Sequence, residues 1–146
     1  MPGAPSRSAA IFRAMSNTTG SIADFNEFRT RMNESIFAAG NLTINRFFAL
    51  DGRTYEAGAL GVKTKEMLGL VSSMVLRCDD CITYHVIRCH EEGVTPEEFY
   101  EIFAVGLVVG GSIVIPHLRR AVARLEELEA GRQGAGVAPP PESVGG

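Results

Sequence analysis

The sequence lacks the features that mark several common classes of protein. Its 146 residues carry a formal net charge of -3, which leaves no broad basic surface for a phosphate backbone, and no nucleic-acid-binding module is recognisable. The longest uncharged run, Ile102 to Pro116, is shorter than the ~20 residues that a membrane-spanning helix needs. The N-terminal segment contains no apolar core of the length of a secretory signal. We therefore expect no nucleic-acid partner, no membrane and a cytoplasmic location.

Cysteine is also scarce, and its placement is informative. The chain has 3 cysteines, an odd number, and only two residues separate Cys78 from Cys81. Without an export signal, this pattern argues against a framework of structural disulfides. The pair therefore indicates redox chemistry or metal binding.

The length suits one domain with loose ends. Hydrophobic residues make up 45% of the sequence and charged residues 21%, which is typical of a globular protein. Residues 1–20 mix Pro, Gly, Ser and Thr, and residues 131–146 are rich in Pro and Gly, so we predict flexible segments at both ends. Residues 21–130 form the predicted folded domain.

Apolar residues recur at helical spacing through this domain, and no alternating strand pattern is convincing, so the predicted fold class is all-α. The predicted helical segments run from Ser21 or Asp24 to Gly40, from Asn45 to a turn at Asp51-Gly52, from Tyr55 to Leu60, from Thr64 to about Leu76, from Cys78 or Asp80 to near Gly93, from Thr95 into the Val-Gly-Gly stretch, and from His117 to about Ala130. The clearest start signal is Thr95-Pro96-Glu97-Glu98, in which Thr95 caps and Glu98 completes a capping box. Gly131 is the predicted end of the last helix.

The segment Cys78-Asp79-Asp80-Cys81-Ile82-Thr83-Tyr84-His85 concentrates reactive side chains. In a helix, at about 100° per residue, Cys78, Cys81, His85 and Cys89 fall on one stripe. At ~1.5 Å rise per residue this stripe is about 16 Å long, so one tetrahedral zinc ion binds all four only if the segment is not helical. Cys78 and Cys81 are one turn apart, close enough for a reversible disulfide. Helical geometry therefore favours redox chemistry, with a metal clip or inert packing as the alternatives.

The surroundings of the pair indicate how a thiol would react there. A helix N-terminus favours the thiolate form of a cysteine, whereas Asp79 and Asp80 oppose it. His85, one turn beyond Cys81, is placed to exchange a proton with a sulfur directly or through water, and Glu66 to orient or reprotonate that relay. The plainer interpretations are a core histidine for His85 and, for Glu66, a dipole partner in the first turn of its helix.

Other conspicuous residues have ordinary interpretations. We interpret Cys89 and His90 as helix residues without catalytic duty. We interpret His117 as an ordinary surface residue. The glycines at 106, 110 and 111 are expected to permit close helix packing and not phosphate binding, because no strand precedes them.

Glu66, the Cys78-x-x-Cys81 pair and His85 together resemble the Glu/Cys/Cys/His active-site pattern of alkylhydroperoxidase D-like proteins, in the carboxymuconolactone decarboxylase superfamily. Flanking segments look like the helical core of the same superfamily: Tyr55-Glu56-Ala57-Gly58-Ala59-Leu60, Lys63-Thr64-Lys65-Glu66, Leu76-Arg77-Cys78, Tyr84-His85, Gly93-Val94-Thr95 and Val109-Gly110-Gly111. The resemblance extends over roughly Phe25 to Leu125.

The resemblance implies an alkylhydroperoxidase D-like helical bundle that assembles into trimers or hexamers. It implies an antioxidant enzyme, a thiol-dependent peroxidase or disulfide oxidoreductase, whose catalytic residues are Glu66, Cys78, Cys81 and His85, with no cofactor and no metal. The partners implied are a hydroperoxide or disulfide substrate and an external thiol or dithiol reductant. In the superfamily's peroxidases the later cysteine, here Cys81, is usually assigned the attack on peroxide, and the earlier one resolves the sulfenic acid. The helix dipole equally favours Cys78 as the more reactive thiol.

The chain departs from the pattern at one position. Peroxidases of the superfamily often carry His directly before the second cysteine, where this chain has Asp80, so the route of the proton stays open. The name-giving decarboxylase branch lacks the cysteine pair, so retention of both thiols favours redox chemistry. Lactone decarboxylation and a non-catalytic binding oligomer are the alternatives.

Overall fold

The computed structural model describes residues 20–134, which form six α-helices joined by short loops. The helices are α1 (Ile22–Ala38), α2 (Leu42–Thr54), α3 (Val62–Leu76), α4 (Asp79–Glu91), α5 (Pro96–Gly110) and α6 (Ile115–Gly134), with one 3-10 turn at Ser112–Val114. No strand occurs among these residues. The predicted all-α fold class is confirmed.

The chain divides after Arg46 into two compact units. The first contains α1 and the start of α2, and no residue of α1 is buried. The second runs from Phe47 and contains every residue of the candidate site. The single folded domain over 21–130 stays a prediction. Of the predicted flexible segments, 1–20 and 131–146, residues 131–134 are helical, and residues 1–19 and 135–146 lie outside the described residues.

Several helix starts agree with the sequence. Ser21 caps α1 through a capping box with Asp24, and Thr95 caps α5 through a capping box with Glu98. Each box satisfies backbone N–H groups that a helix start leaves without partners. Cys78 itself caps α4, at the predicted beginning of that helix.

Residues 45–50 are helical as predicted, but the predicted boundaries of that helix and the short helix from Tyr55 to Leu60 are wrong. Asn41, and not Asn45, lies at the start of α2, where its Oδ1 accepts the N–H of Ile44 at 3.1 Å. Asp51-Gly52 lies inside α2, and Tyr55 to Leu60 form bends and no helix. A side chain of the next helix binds the chain where α2 ends. The ammonium group of Lys65 donates to the carbonyls of Thr54 at 2.9 Å and Glu56 at 2.6 Å. These contacts satisfy terminal carbonyls that a further helical turn would otherwise satisfy.

Two other predicted helix boundaries also move. The cap of α3 is Gly61 and not Thr64, so Glu66 lies in the second turn of that helix and not in the first. The last helix continues through Gly131 to Gly134. A glycine in an exposed helix interior costs only about 1 kcal/mol relative to alanine, so it does not by itself end a helix.

The core of the second unit is built from one side of each of four helices, α3 to α6. Its fully buried apolar side chains include Leu70, Met74, Ile82, Val86, Phe99, Phe103, Val114 and Ala121. Gly106 on α5 faces Met74, and a methyl group there would lie 3.1 Å from the methionine sulfur and terminal carbon. The prediction that this glycine permits close helix packing is confirmed.

The uncharged stretch of α5 is buried on one side only. Ile102 and Phe103 are in the core, whereas Val105 is 52% exposed, Val108 86% and Val109 66%. Within residues 20–134 no helix combines the length and the apolar character needed to cross a bilayer.

Candidate functional site

The two cysteines lie at the junction between α3 and α4. Arg77 ends α3 in the left-handed conformation, at φ 59°, and the N–H of Cys78 then donates to the carbonyl of Ser73 at 3.1 Å. This is the hydrogen-bond pattern by which a left-handed residue closes a helix end. The turn is so tight that Cys78, the residue directly after the C-cap Arg77, is already the N-cap of α4.

A disulfide joins Cys78 to Cys81, with the two Cα atoms 5.2 Å apart. The Sγ of Cys78 also accepts the backbone N–H of Cys81 at 3.3 Å, which is the capping bond of α4. Cys78 is half-buried and Cys81 is exposed. The structure therefore brings together the two sulfurs that the sequence pairs, and it presents the second to solvent.

Glu66 and His85 form a buried pair between α3 and α4. The Nδ1–H of His85 donates to Oε2 of Glu66 at 2.8 Å, and Glu66 is only 1% exposed. Because a carboxylate only accepts hydrogen bonds, the contact assigns the proton of a neutral ring to Nδ1 and leaves Nε2 as the acceptor. The two predicted relay residues thus lie in direct contact.

Two further residues extend this pair, and sequence reasoning missed both. The Nε–H of Arg88 donates to Oε1 of Glu66 at 3.4 Å, so the carboxylate is held from a second side. The hydroxyl of Tyr55 lies 3.4 Å from Nε2 of His85, and their rings pack with centroids 5.3 Å apart. Burial, followed by the negative charge of Glu66, raises the pKa of Tyr55. Tyr55 therefore keeps its proton and can donate it.

A glycine makes room for the histidine ring. A Cβ atom at Gly69 would lie 2.5 Å from Cε1 of His85, a distance that real side chains do not adopt. The ring of His85 thus packs directly against the backbone of α3. Its orientation toward Glu66 depends on the absence of a side chain at this one position.

A cavity of about 480 Å³ lies beside the ring of His85. It is lined by Thr54, Tyr55, Lys65, Leu68, Gly69, Ser72, Ser73, Leu76 and His85. Cys78 and Cys81 do not belong to this lining, but Ser73 does, and its carbonyl accepts the N–H of Cys78. Within residues 20–134, the side-chain hydrogen bonds of His85 go to Glu66 and Tyr55, and none reaches a sulfur atom.

The two aspartates between the cysteines differ in their surroundings. Oδ1 of Asp79 accepts a hydrogen bond from Nδ1–H of His117 at 2.7 Å, and its Oδ2 lies 3.6 Å from Nε of Arg120. Asp80 is exposed. The prediction that His117 is ordinary surface is wrong, because packing of α6 against α4 brings it to the N-terminus of the cysteine helix and leaves its side chain only 16% exposed.

The third cysteine is separated from this chemistry. Cys89 is fully buried, and burial, with a smaller effect of Glu66, raises the pKa of its thiol to about 12. The neighbouring His90 contacts Glu129 at 3.0 Å and Arg132 at 2.8 Å on α6. Cys89 packs in the core and His90 links α4 to α6, and the absence of a catalytic duty for them stays a prediction.

The described side chains do not form a metal centre. Within residues 20–134, no group of three or more His, Cys, Asp or Glu side chains has the arrangement to hold a metal ion. Cys78 and Cys81 use their sulfurs in the disulfide, and His85 uses Nδ1 on Glu66.

Comparison with known proteins gives a consistent result. The sequence model of the carboxymuconolactone decarboxylase family matches residues 42–124. Over 91 residues the chain is 30% identical to "Uncharacterized protein 4 in cox locus" of Paracoccus denitrificans, a match that covers 62% of this chain and 82% of that protein.

Solved structures show the same fold. A carboxymuconolactone decarboxylase family protein of Thermotoga maritima, for which a part in antioxidative response has been suggested, is 54% identical with a TM-score of 0.75. That match covers 78% of this chain and 97% of the Thermotoga chain. A protein of the same family from Legionella pneumophila, in its apo form, is 22% identical with a TM-score of 0.67, covers 73% of this chain and 95% of its own, and is a likeness of fold alone. The helical bundle that the sequence resemblance implied is thereby confirmed.

Proposed function

The chain belongs to the carboxymuconolactone decarboxylase family, and we propose that within this family it is a thiol-dependent oxidoreductase that reduces hydroperoxides or disulfides through Cys78 and Cys81. The observation that carries the proposal is the disulfide between these residues, at a helix N-terminus and partly open to solvent. A helix N-terminus stabilises a thiolate, which is the reactive form of a cysteine. The suggested antioxidative role of the Thermotoga maritima relative supports the same chemistry.

The two sulfurs differ in exposure, and we assign their roles from this difference. Cys81 is exposed and Cys78 is half-buried, so we assign the attack on peroxide to Cys81. Its thiolate attacks the terminal oxygen of a hydroperoxide, the O–O bond breaks, and the alkoxide that leaves takes up a proton to become an alcohol. Cys78 then attacks the sulfenic acid of Cys81, which releases water and forms the disulfide. Two electrons from an external dithiol, or from two thiols, return both cysteines to the reduced state.

Glu66 and His85 supply the proton relay in this proposal. The carboxylate fixes the proton of the neutral ring on Nδ1, which leaves Nε2 to take a proton from one group and pass it to another. Tyr55 lies on that side of the ring at 3.4 Å, next to the cavity. A substrate or water molecule in the cavity would connect Nε2 to the leaving oxygen.

The cavity lining indicates an uncharged substrate. Leu68, Leu76 and the bare backbone at Gly69 make much of its surface apolar. The ammonium group of Lys65 uses two of its three hydrogens on backbone carbonyls, which leaves at most one for an anion. We infer that small organic hydroperoxides are better substrates than charged ones.

The proposal includes a homo-oligomer, a trimer or a hexamer. Val108 at 86% exposure and Val109 at 66%, on the uncharged stretch of α5, are unusually open for apolar side chains of one helix. Contiguous apolar surface of this kind marks contact sites in proteins. We place the enzyme in the cytoplasm, where a pool of thiol reductants can regenerate the cysteine pair.

The deciding experiment is peroxide consumption by the reduced protein with a panel of hydroperoxides and thiol donors. We expect turnover, a Cys78–Cys81 disulfide in the mass spectrum after one equivalent of peroxide, and loss of turnover in Cys81→Ser and Cys78→Ser. Cys89→Ala is the matched control and should keep its activity. A protein that consumes no peroxide and reduces no disulfide with any donor would overturn the proposal.

Lactone decarboxylation, the chemistry for which the family is named, gives a different result in the same assay. It predicts conversion of a lactone substrate that continues after the thiols are alkylated. A non-catalytic binding oligomer predicts the disulfide without turnover.

A further inference from the structure

Asp79 presents a problem for the proposed chemistry, because it follows Cys78 directly. A carboxylate near a thiolate destabilises it, and Asp79 is in the first turn of α4 beside both cysteines. At neutral pH its charge would lower the fraction of reduced cysteine in the reactive form. The helix N-terminus acts in the opposite direction, so the balance depends on what else surrounds Asp79.

Two side chains of α6 bind this carboxylate from the other side. His117 donates to Oδ1 at 2.7 Å, and the Nε of Arg120 lies 3.6 Å from Oδ2. Both residues come from the first two turns of α6, and His117 is 38 residues away from Asp79 in sequence. The contacts exist only because α6 packs against α4. Asp79 thus occupies a cross-helix clamp made of His117 and Arg120.

We propose that His117 and Arg120 are positioning residues for the cysteine pair: by binding Asp79 they offset the negative charge beside Cys78 and keep the reduced sulfurs reactive at neutral pH. The clamp also holds the carboxylate on the α6 side of α4. This inference rests on the proposed thiol chemistry, but it concerns the reactivity of the thiols and not the identity of the substrate.

The clamp is partly exposed, and this sets the size of the effect. The side chain of Asp79 is 36% exposed and that of Arg120 is 44% exposed, so solvent and salt screen their interaction. We expect loss of the clamp to slow thiolate reactions at pH 7 by about threefold to tenfold at low salt, since a tenfold change corresponds to one pH unit in the thiolate fraction. At about 1 M salt, where the screening length is ~3 Å, most of the effect should disappear.

The test measures alkylation of the fully reduced protein by iodoacetamide as a function of pH, followed at each cysteine by mass spectrometry. The clamp variant is His117→Leu with Arg120→Gln. We expect it to react threefold to tenfold more slowly than the parent at pH 7, with the midpoint of its pH profile moved to higher pH. Arg119→Gln, at the neighbouring exposed position, removes one positive charge as a matched control and should react like the parent.

Asp79→Asn separates the effect of charge from an effect of packing. If the clamp acts by offsetting charge, this substitution makes it unnecessary, and the triple variant of residues 79, 117 and 120 should react as fast as Asp79→Asn alone. A triple variant as slow as the clamp variant would overturn the proposal, because the loss would then come from disturbed packing. A clamp variant with the parent's pH profile at low salt would overturn it as well.

Separate controls distinguish a role of the clamp from a folding defect and from a failure of the proposed function. If circular dichroism shows that the clamp variant is unfolded, Arg120→Gln alone gives the test, with a smaller shift in the same direction expected and an unchanged profile contradicting the proposal. Alkylation requires neither peroxide nor a donor. A parent protein that reduces neither peroxide nor disulfide would therefore overturn the proposed function, whereas only the alkylation profiles decide the role of the clamp.

Discussion

Glu66 and His85 form a buried pair between α3 and α4, in which Oε2 of the carboxylate accepts the Nδ1–H of the ring at 2.8 Å. The contact orients the ring so that Nε2 faces Tyr55 and the cavity. It therefore determines which nitrogen is available for proton transfer.

Replacing Glu66 by Gln keeps the size of the side chain and removes its charge. Because the amide can turn its NH₂ group toward His85, the ring loses the partner that fixes its proton on Nδ1. We expect kcat/KM for hydroperoxide to fall by at least about tenfold, given that positioned acid–base groups contribute about 10²-fold or more. Glu101→Gln, an exposed position on α5, is the control. Equal activity of Glu66→Gln and the parent would remove Glu66 from the relay.

Gly69→Ala tests the close approach of the His85 ring to α3. In an ordinary helix position, the substitution of Gly by Ala would raise the free energy of unfolding by about 1 kcal/mol. Here the new methyl group would lie 2.5 Å from Cε1 of His85, so the ring must move. We expect a loss of kcat/KM of about tenfold to a hundredfold, because a displacement of ~1 Å can have that effect.

The matched control for this substitution is Gly131→Ala. Its Cβ would meet no atom within 4 Å, and the position is exposed in α6. We expect a small rise in Tm without change in activity. Full activity of Gly69→Ala would mean that the orientation of the ring is not needed for turnover.

Tyr55→Phe removes the hydroxyl group beside Nε2 of His85. A single hydrogen bond contributes about 0.5–1.5 kcal/mol, so we expect kcat to fall by about threefold to tenfold. Burial and the charge of Glu66 raise the pKa of Tyr55 above its ordinary value of 10.0, and the hydroxyl therefore stays protonated through the physiological range. The pH profile of the parent should show no loss from this group at or below pH 8. Tyr100→Phe, at a position 56% exposed, should behave as the parent, and a Tyr55→Phe enzyme of full activity would exclude the hydroxyl from the relay.

The parts of the site that follow from local geometry could be predicted from sequence. Cys78, Cys81 and His85 lie on one helix, where spacing alone determines the face of each residue. The partners of His85 were harder to predict. Glu66 was suggested by the family resemblance. Tyr55 lies in the loop after α2, where Lys65 binds the carbonyls of Thr54 and Glu56. Periodicity carries no information about such a contact.

Contacts between distant helices were missed for the same reason. His117 is on the polar side of α6 in sequence, and nothing local shows that this side meets the start of α4. Arg88 could have been suspected, because it lies three residues after His85 and so on nearly the same face of α4. The predicted helix end at Asp51-Gly52 is wrong because α2 continues through these residues to Thr54.

Alkylation of the native and unfolded protein tests the separation of Cys89 from the reactive pair. Burial raises the pKa of its thiol to about 12, so at pH 8 almost none is ionised and solvent does not reach it. After reduction of the disulfide, we expect the native protein to gain two labels, at Cys78 and Cys81. The chain has 3 cysteines, so the unfolded protein should gain three. Rapid native labelling of Cys89 would contradict its burial.

The same thiol should make the folded protein less stable at high pH. In the unfolded chain its pKa is near the ordinary value of 9.0, whereas in the folded chain it is about 12. Below pH 9 both states keep the proton, so the thiol has no effect on the pH dependence of the free energy of unfolding. Between pH 9 and pH 12 the unfolded chain loses the proton and the folded chain keeps it, so ionisation favours unfolding and stability falls as pH rises. Urea unfolding of the oxidised protein, in which Cys78 and Cys81 do not titrate, should show a shallower decline in Cys89→Ala than in the parent. Parallel curves over this range would mean that the buried thiol ionises as easily in the folded protein as in the unfolded chain.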